Sequence, residues 1–270
     1  MLRRLCALLA ALILITPVQL SAQTQTCGAD NDCPVDGGDY RISLPEGRQG
    51  DAPIGAIVFA HGYRGSSAGV MRNRGFRRMA SELGIALIAL NAAGEDWDLP
   101  NAPGHETSRR DEMGYVDRVL NDATARFGLD PERIVAAGFS AGGMFVWNLI
   151  CERGDRFMGF VPMSGTFWKE APESCSSPPA NVIHIHGDAD RTVPLEGRAI
   201  GDTTQGNVFD VLDMYRAYGG YGEAEDVEAA GMTCSARRNP AGKRLDFCLF
   251  SGGHSFSLAR LRQAWEWLDE

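Results

Sequence analysis

Residues 138–142 read Gly138-Phe139-Ser140-Ala141-Gly142, a G-x-S-x-G stretch whose flanks decide how the chain folds. Ahead of it runs Arg133-Ile134-Val135-Ala136-Ala137, short and rich in strand formers. Behind it runs Met144-Phe145-Val146-Trp147-Asn148-Leu149-Ile150, compatible with a helix. Strand, sharp turn and helix form the setting of a nucleophile elbow, where a serine takes strained backbone angles and its Oγ stands exposed above a sheet. Such a turn admits only small neighbours, and Gly138, Ala141, Gly142 and Gly143 supply them. Ser140 is the candidate nucleophile.

On such an elbow the other parts follow a set chain order: oxyanion loop, serine, acid, histidine. Residues 56–60 are a buried-strand run ending in His61-Gly62-Tyr63-Arg64-Gly65. Residues 181–186 read as another strand and open into Gly187-Asp188-Ala189-Asp190-Arg191-Thr192-Val193-Pro194. Residues 245–250 run into Ser251-Gly252-Gly253-His254. A serine hydroxyl is a poor nucleophile at neutral pH and needs an adjacent base. His254 can take that proton and return it to a leaving alcohol, and a carboxylate fixes its tautomer. Asp188 and Asp190 both stand where that carboxylate is needed.

The pattern resembles the secreted α/β-hydrolase esterases grouped with polyhydroxybutyrate depolymerases and feruloyl esterases. The residues that carry the likeness are His61-Gly62, Asp111-Glu112-Met113-Gly114-Tyr115-Val116, residues 138–142, His186-Gly187 with Asp190 and Val193-Pro194, and Gly252-Gly253-His254. The likeness runs from about residue 40 to the C-terminus. It implies an α/β-hydrolase fold and a Ser140–Asp190–His254 triad, with Asp188 then a turn former. It also implies an oxyanion hole made by the backbone amides of Tyr63 and Ala141. The expected activity is hydrolysis of carboxylic esters (short-chain, hydroxycinnamoyl or hydroxyalkanoate oligomer esters) through an acyl-enzyme, with no cofactor. A serine peptidase of the same fold is the main alternative.

Arg3-Arg4, an apolar run over residues 5–15 and the small-residue site Leu20-Ser21-Ala22 read as a signal peptide of residues 1–22. The expected location is therefore secreted or periplasmic, with no membrane insertion after cleavage. Residues 23–39 are polar and glycine-rich, and residues 40–270 are expected to form one catalytic domain that ends on a helix with no polymer-binding module. The chain has seven cysteines. Cleavage would remove Cys6 and leave Cys27, Cys33, Cys151, Cys175, Cys234 and Cys248. An even number in an exported chain implies disulfides, in any of fifteen pairings. The family likeness supports Cys151–Cys175 and Cys234–Cys248, and Cys27–Cys33 is the remainder. The formal net charge of -9 argues against nucleic acid and anionic membrane surfaces as partners.

Short apolar strands alternate with helical stretches, which implies a mostly parallel sheet covered on both faces. Residues 40–44 alternate like an edge strand, residues 85–90 and 160–163 read as buried strands, and residues 70–83, 111–127, 208–218 and 256–268 read as helices. In the second of these, Met113, Val116, Leu120, Ala123 and Phe127 recur at helical spacing, a core stripe. The loop at residues 94–104 follows a strand end, where open sheets place ligands, so Trp97 is a pocket candidate, and Phe256 a candidate for the opposite wall. Arg109, Arg110 and Asp111 follow that loop, and Asp111 reads as ordering it. His184-Ile185-His186-Gly187-Asp188 is similar to the start of a metallo-β-lactamase zinc pattern, but Ala189 stands where that pattern needs a histidine. The competing expectation is that His184 packs in the sheet and His186 hydrogen-bonds below the acid loop. His61 is expected to be structural, and His105 a solvated loop residue.

Overall fold

The structure, a computed structural model, describes residues 27–48, 52–103 and 110–270. The expected signal peptide at residues 1–22, residues 23–26 of the polar segment, His105 and Arg109 lie outside the described residues. One ten-stranded sheet organises the chain. Its centre is parallel, in the order β4 (Ala86–Leu90), β3 (Ile54–Ala60), β5 (Leu129–Phe139), β6 (Gly159–Met163), β7 (Val182–Gly187) and β12 (Arg244–Phe250). Antiparallel strands extend both sides: β2 (Gly38–Ser43) and β1 (Cys33–Val35) beyond β4, and β11 (Met232–Arg238) and β10 (Glu225–Ala229) beyond β12. This is the mostly parallel, helix-covered α/β architecture that the sequence implies.

Strands buried on both faces must be apolar at nearly every position, and the sequences IGAIVFA and ALIAL of β3 and β4 meet that need. Period-two alternation sorts these residues between two cores. On β3, Ala56, Val58 and Ala60 join one core, and Ile57 and Phe59 the other. The first core lies under α3 (Glu112–Phe127), α4 (Ala141–Arg153) and α5 (Val208–Gly219). The second lies under α1 (Ser67–Arg72), α2 (Arg74–Glu82) and α6 (Leu258–Leu268). Full burial of one such Phe or Ile is worth about 1.5–3 kcal/mol over exposure. The stripe on α3 is core as expected, with Val116 and Ala123 fully buried.

Three local features differ from the sequence reading. The helix expected over residues 70–83 is broken at Asn73, which closes α1 and caps α2, its side chain accepting from Phe76 N at 3.1 Å. A cap of this kind is worth about 1 kcal/mol, enough to start a new helix where the old one ends. The edge strand expected at residues 40–44 is β2, and it is not the edge. β1 lies outside it, so the polar segment 23–39 contributes to the sheet; Cys33 is fully buried there and disulfide-bonded to Cys27. The exposed acidic strand β10 has no apolar pattern to announce it, and only its pairing with β11 makes it a strand.

The other cysteines among the described residues pair as Cys151–Cys175 and Cys234–Cys248. Cys234 and Cys248 stand opposite each other on β11 and β12. That bridge therefore braces the strand from which the 251–254 loop departs.

Candidate active site

Ser140 sits between β5 and α4 with φ 60 and ψ -122, a strained conformation for a residue with a side chain. The turn closes because its neighbours lack side chains. A Cβ on Gly142 would collide with the Ala60 carbonyl, and one on Gly138 with the Gly142 carbonyl. The Ser140 amide is fixed by Met163 O at 2.9 Å on β6. Its hydroxyl makes no capping bond to the helix that it starts. The first amides of a helix have no intrahelical acceptor, so the Ala141 N–H at the start of α4 points where negative charge would be welcome.

The acid loop follows β7. Asp190 Oδ1 accepts from Thr192 N at 2.8 Å and Val193 N at 2.9 Å, and Oδ2 lies 2.7 Å from His254 Nδ1. Burial alone would push this carboxyl up, but the bonds from His254, Val193 and Thr192 outweigh it and hold it below the usual carboxylate range. Asp188 does something else. Its Oδ1 accepts from Gly252 N at 2.9 Å, while Ala189 N donates to Gly252 O at 2.9 Å. These bonds dock the 251–254 loop onto the acid loop, so Asp188 holds the loop that delivers His254, and Asp190 meets the imidazole. The His254 ring lies against Phe139, the residue before Ser140, centroids 4.6 Å apart. The Ser140 Oγ–His254 Nε2 bond is not made in this structure; such bonds often tighten only when substrate binds.

The oxyanion-side loop follows β3. The His61 carbonyl accepts from Trp97 Nε1 at 2.8 Å, and His61 Nε2 accepts from Ala92 N at 3.3 Å. His61 Nδ1 then carries the proton toward Gly62 O, 2.8 Å away. Burial pushes the His61 pKa down and keeps the ring neutral. At Gly62 the chain passes Ser140 closely enough that a Cβ there would lie 3.4 Å from Ser140 Cβ. The Tyr63 amide follows directly. Farther out, Arg64 N donates to Glu95 O at 2.7 Å, and Arg64 and Tyr63 side chains both reach Glu95 Oε2, at 3.0 and 3.2 Å.

These loops enclose a cleft of about 840 Å³ that contains Ser140, Ala141 and Tyr63. Met144, Trp168, Val193 and Ile200 form apolar lining, and Asp96, Arg198 and Gln205 add polar groups. Trp97 is among its lining residues, though only 2% exposed, and its ring packs between His61 and Phe145. Phe256 is not part of this lining. It packs with Phe59, Phe76 and Phe139 on the second core, behind the ring that supports His254. Its apolar ring finds better burial in that cluster than at a solvated rim. Arg198 and Gln205 come from a ribbon that the sequence reading missed, β8 (Arg198–Ile200) and β9 (Thr203–Gln205), too short to show alternation. A second, more polar cleft of about 970 Å³, with Lys169, Glu170, Glu196 and Asp210, meets the first at Gln205 but does not include the serine.

Of two further features, the first was not legible and the second follows the competing expectation for His184 and His186. Asp111, expected to order the 94–104 loop, instead caps α3, accepting from Gly114 N at 2.9 Å, and the tie to the cleft is its neighbour Glu112. Buried Glu112 pairs with Arg110 at 2.6 Å and accepts from Asp98 N at 3.0 Å, anchoring the Trp97 loop to α3. The two histidines of β7 are buried and hydrogen-bonded: His184 Nε2 to His186 Nδ1 at 2.9 Å, His184 Nδ1 from Trp147 Nε1 at 3.2 Å, and His186 Nε2 to Val193 O at 2.8 Å. All four ring nitrogens are engaged within the fold, with Asp188 directed elsewhere.

The geometry can be set beside known proteins. Residues 99–204 match the phospholipase/carboxylesterase family model. NocK of Nocardia uniformis subsp. tsuyamanensis, which bears the name of an esterase, is 31% identical over 156 residues, 57% of this chain and 44% of that protein. A probable feruloyl esterase C of Aspergillus terreus is 24% identical over 238 residues, 86% of this chain and 80% of that one. Among solved structures, acetyl xylan esterase from Aspergillus awamori superposes with a TM-score of 0.61 at 12% identity, covering 90% of this chain and 95% of its own. The chain thus has the α/β-hydrolase fold, and its resemblance is to esterases of that fold. The chain spans less than half the length of NocK, and the curated relatives named here bear esterase names.

Proposed function

We propose that the protein is an exported serine esterase in which Ser140 is the nucleophile, His254 the general base and acid, and Asp190 the carboxylate that orients it. The observation that carries this reading is the 2.7 Å bond from His254 Nδ1 to Asp190, with the His254 ring against Phe139, the residue before a serine that sits on a strained elbow and lines a cleft. His254 Nε2 takes the hydroxyl proton as Ser140 Oγ attacks the ester carbonyl. The oxyanion is received by the amides of Ala141 and Tyr63. Collapse of the tetrahedral intermediate expels the alcohol, which takes the proton from His254 and leaves an acyl-serine. Water, deprotonated by the same imidazole, repeats the addition and releases the carboxylic acid. Loss of one oxyanion donor in such a site typically costs about 10²–10³ in turnover.

The substrates in this reading are small or oligomeric esters whose apolar acyl or aryl part lies along Met144, Trp168, Val193 and Ile200. Feruloyl esterase names among the relatives favour hydroxycinnamoyl esters within that class. Export rests on the signal-like residues 1–22 and on three disulfides, which persist in oxidising compartments.

A serine-reactive phosphonate should label Ser140 alone, and Ser140→Ala should lose ester turnover while keeping the fold. Label on another residue, or parent activity in Ser140→Ala, refutes the assignment. Hydrolysis should survive prolonged chelation; activity lost to chelator and restored by zinc would replace the serine mechanism. Matched ester and amide substrates separate an esterase from a peptidase.

A further inference from the structure

The hydrogen bonds under the acid loop form a chain whose proton positions are forced. An indole N–H can only donate, so Trp147 makes His184 Nδ1 an acceptor and puts the His184 proton on Nε2. That proton is donated to His186 Nδ1, which puts the His186 proton on Nε2. The Val193 carbonyl, an obligate acceptor, receives it. Both tautomers follow from the network alone. Both imidazoles are fully buried, and burial pushes both pKa values down, consistent with neutral rings.

The two ends of the chain belong to different parts of the site. Trp147 is on α4, the helix that begins at Ser140. Val193 is in the acid loop, and its peptide is held from both sides: its N–H by Asp190 Oδ1 and its C=O by His186 Nε2. The same Nε2 lies 3.5 Å from Asp190 Oδ2, the oxygen that faces His254.

We infer that Trp147, His184 and His186 form a buried strut that sets Asp190 relative to the nucleophile helix, with His186 a positioning residue for the triad. A chain of bonds on one strand face fixes a distance that apolar packing would leave softer. Buried polar groups rarely add stability over well-packed apolar ones, but a fully satisfied network specifies one arrangement. The inference rests on the triad reading above.

The test uses the full mature protein with p-nitrophenyl acetate as probe and compares His186→Leu, His186→Gln and Asp190→Asn. Leu removes the donor to Val193, and a carboxylate displaced by about 1 Å should cut kcat roughly 10²-fold with KM little changed. Gln keeps a terminal N–H for Val193 O and should restore most of the loss. A folded His186→Leu with parent kcat overturns the strut. If His186→Leu does not fold, nitrogen NMR on the parent decides: both rings must be neutral and protonated on Nε2 across the active pH range, and a His186 protonated on Nδ1 or titrating there overturns it. Asp190→Asn separates the two claims. Parent turnover in that variant refutes the triad reading, whereas a collapsed Asp190→Asn beside an unaffected His186→Leu refutes the strut alone.

Discussion

The two sides of the cleft are held by different kinds of bond. On the acid side, Asp190, His184 and His186 are buried, and the bonds that orient them run through the interior. On the oxyanion side one anchor is buried, Trp97 to His61, but the outer turn depends on Arg64 and Glu95, whose side chains are each 65% exposed. Tyr63, which supplies the proposed amide, is 55% exposed. Interior hydrogen bonds are barely screened, whereas an exposed ion pair contributes little and weakens with salt. The contrast teaches that the Asp190 carboxylate is set in advance by the fold, while the exposed rim around Tyr63 is adjustable.

Four experiments would break or sharpen that contrast. The largest effect is expected from Asp190→Asn, which should lower kcat by about 10⁴ while leaving the fold intact, because His254 loses the carboxylate that fixes its tautomer. Asp188→Asn should cost far less, since an amide oxygen can still accept from Gly252 N. The reverse ranking, read from steady-state kinetics of the two variants, would move the acid.

Removing the Cys234–Cys248 bridge by a double serine substitution should destabilise the protein by about 3 kcal/mol, from the closure of a loop with sequence separation 14. It should also slow turnover, because β12 carries the chain toward His254. Urea unfolding and kcat on the same preparation check both. A destabilised variant with parent kcat would mean that the docking bonds from Asp188 and Ala189 suffice to hold His254.

The pH dependence of stability should carry the signature of buried neutral imidazoles. His61, His184 and His186 all have lowered pKa values, mainly through burial. Below about pH 6.5 the unfolded chain binds protons that the folded chain refuses, so stability should fall as pH drops from there toward the folded pKa values. The slope is at most about 1.4 kcal/mol per pH unit for each imidazole. Asp190 adds a later loss, since its depressed pKa stabilises the fold above about pH 4 and that contribution disappears as pH falls through the folded value. Urea melts from pH 7.5 to about pH 2.5 measure both contributions. Two of the three imidazoles are on the acid side, so His61→Asn should remove the smaller share of the slope; removal of most of it would reverse the contrast.

The smallest effect is expected at the exposed rim. Glu95→Gln should change kcat/KM by about twofold or less at low salt, and the difference should vanish at high salt. Trp97→Phe, which removes the buried bond to His61 O, should cost more, about tenfold in kcat. If Glu95→Gln were the more damaging and indifferent to salt, the outer turn would be as preorganised as the acid loop.

The sequence was read well where local chemistry has few solutions. A serine between small residues, after a strand and before a helix, has one common structural meaning, and Ser140 adopts it. The order of the three loops and the helix stripe on α3 were equally legible, because chain order and period survive in one dimension. His184 and His186 were ambiguous: a strand face can present two imidazoles to a metal or to a neighbouring helix with the same spacing. Phe256 was misplaced because adjacency to His254 in sequence does not say which side of the sheet a ring enters.

By itself the sequence determined the parallel α/β class, the elbow, and the segments that carry serine, carboxylate and imidazole, since small-residue turns, apolar strands and glycine loops are local demands of backbone geometry. Only the tertiary structure decided which of Asp188 and Asp190 meets His254, that the histidines of β7 hydrogen-bond to α4 and the acid loop, and that Trp97 holds the His61 carbonyl. Those choices join residues far apart in the chain. They depend on which face of which strand lies against which helix, and burial settles that for all elements together.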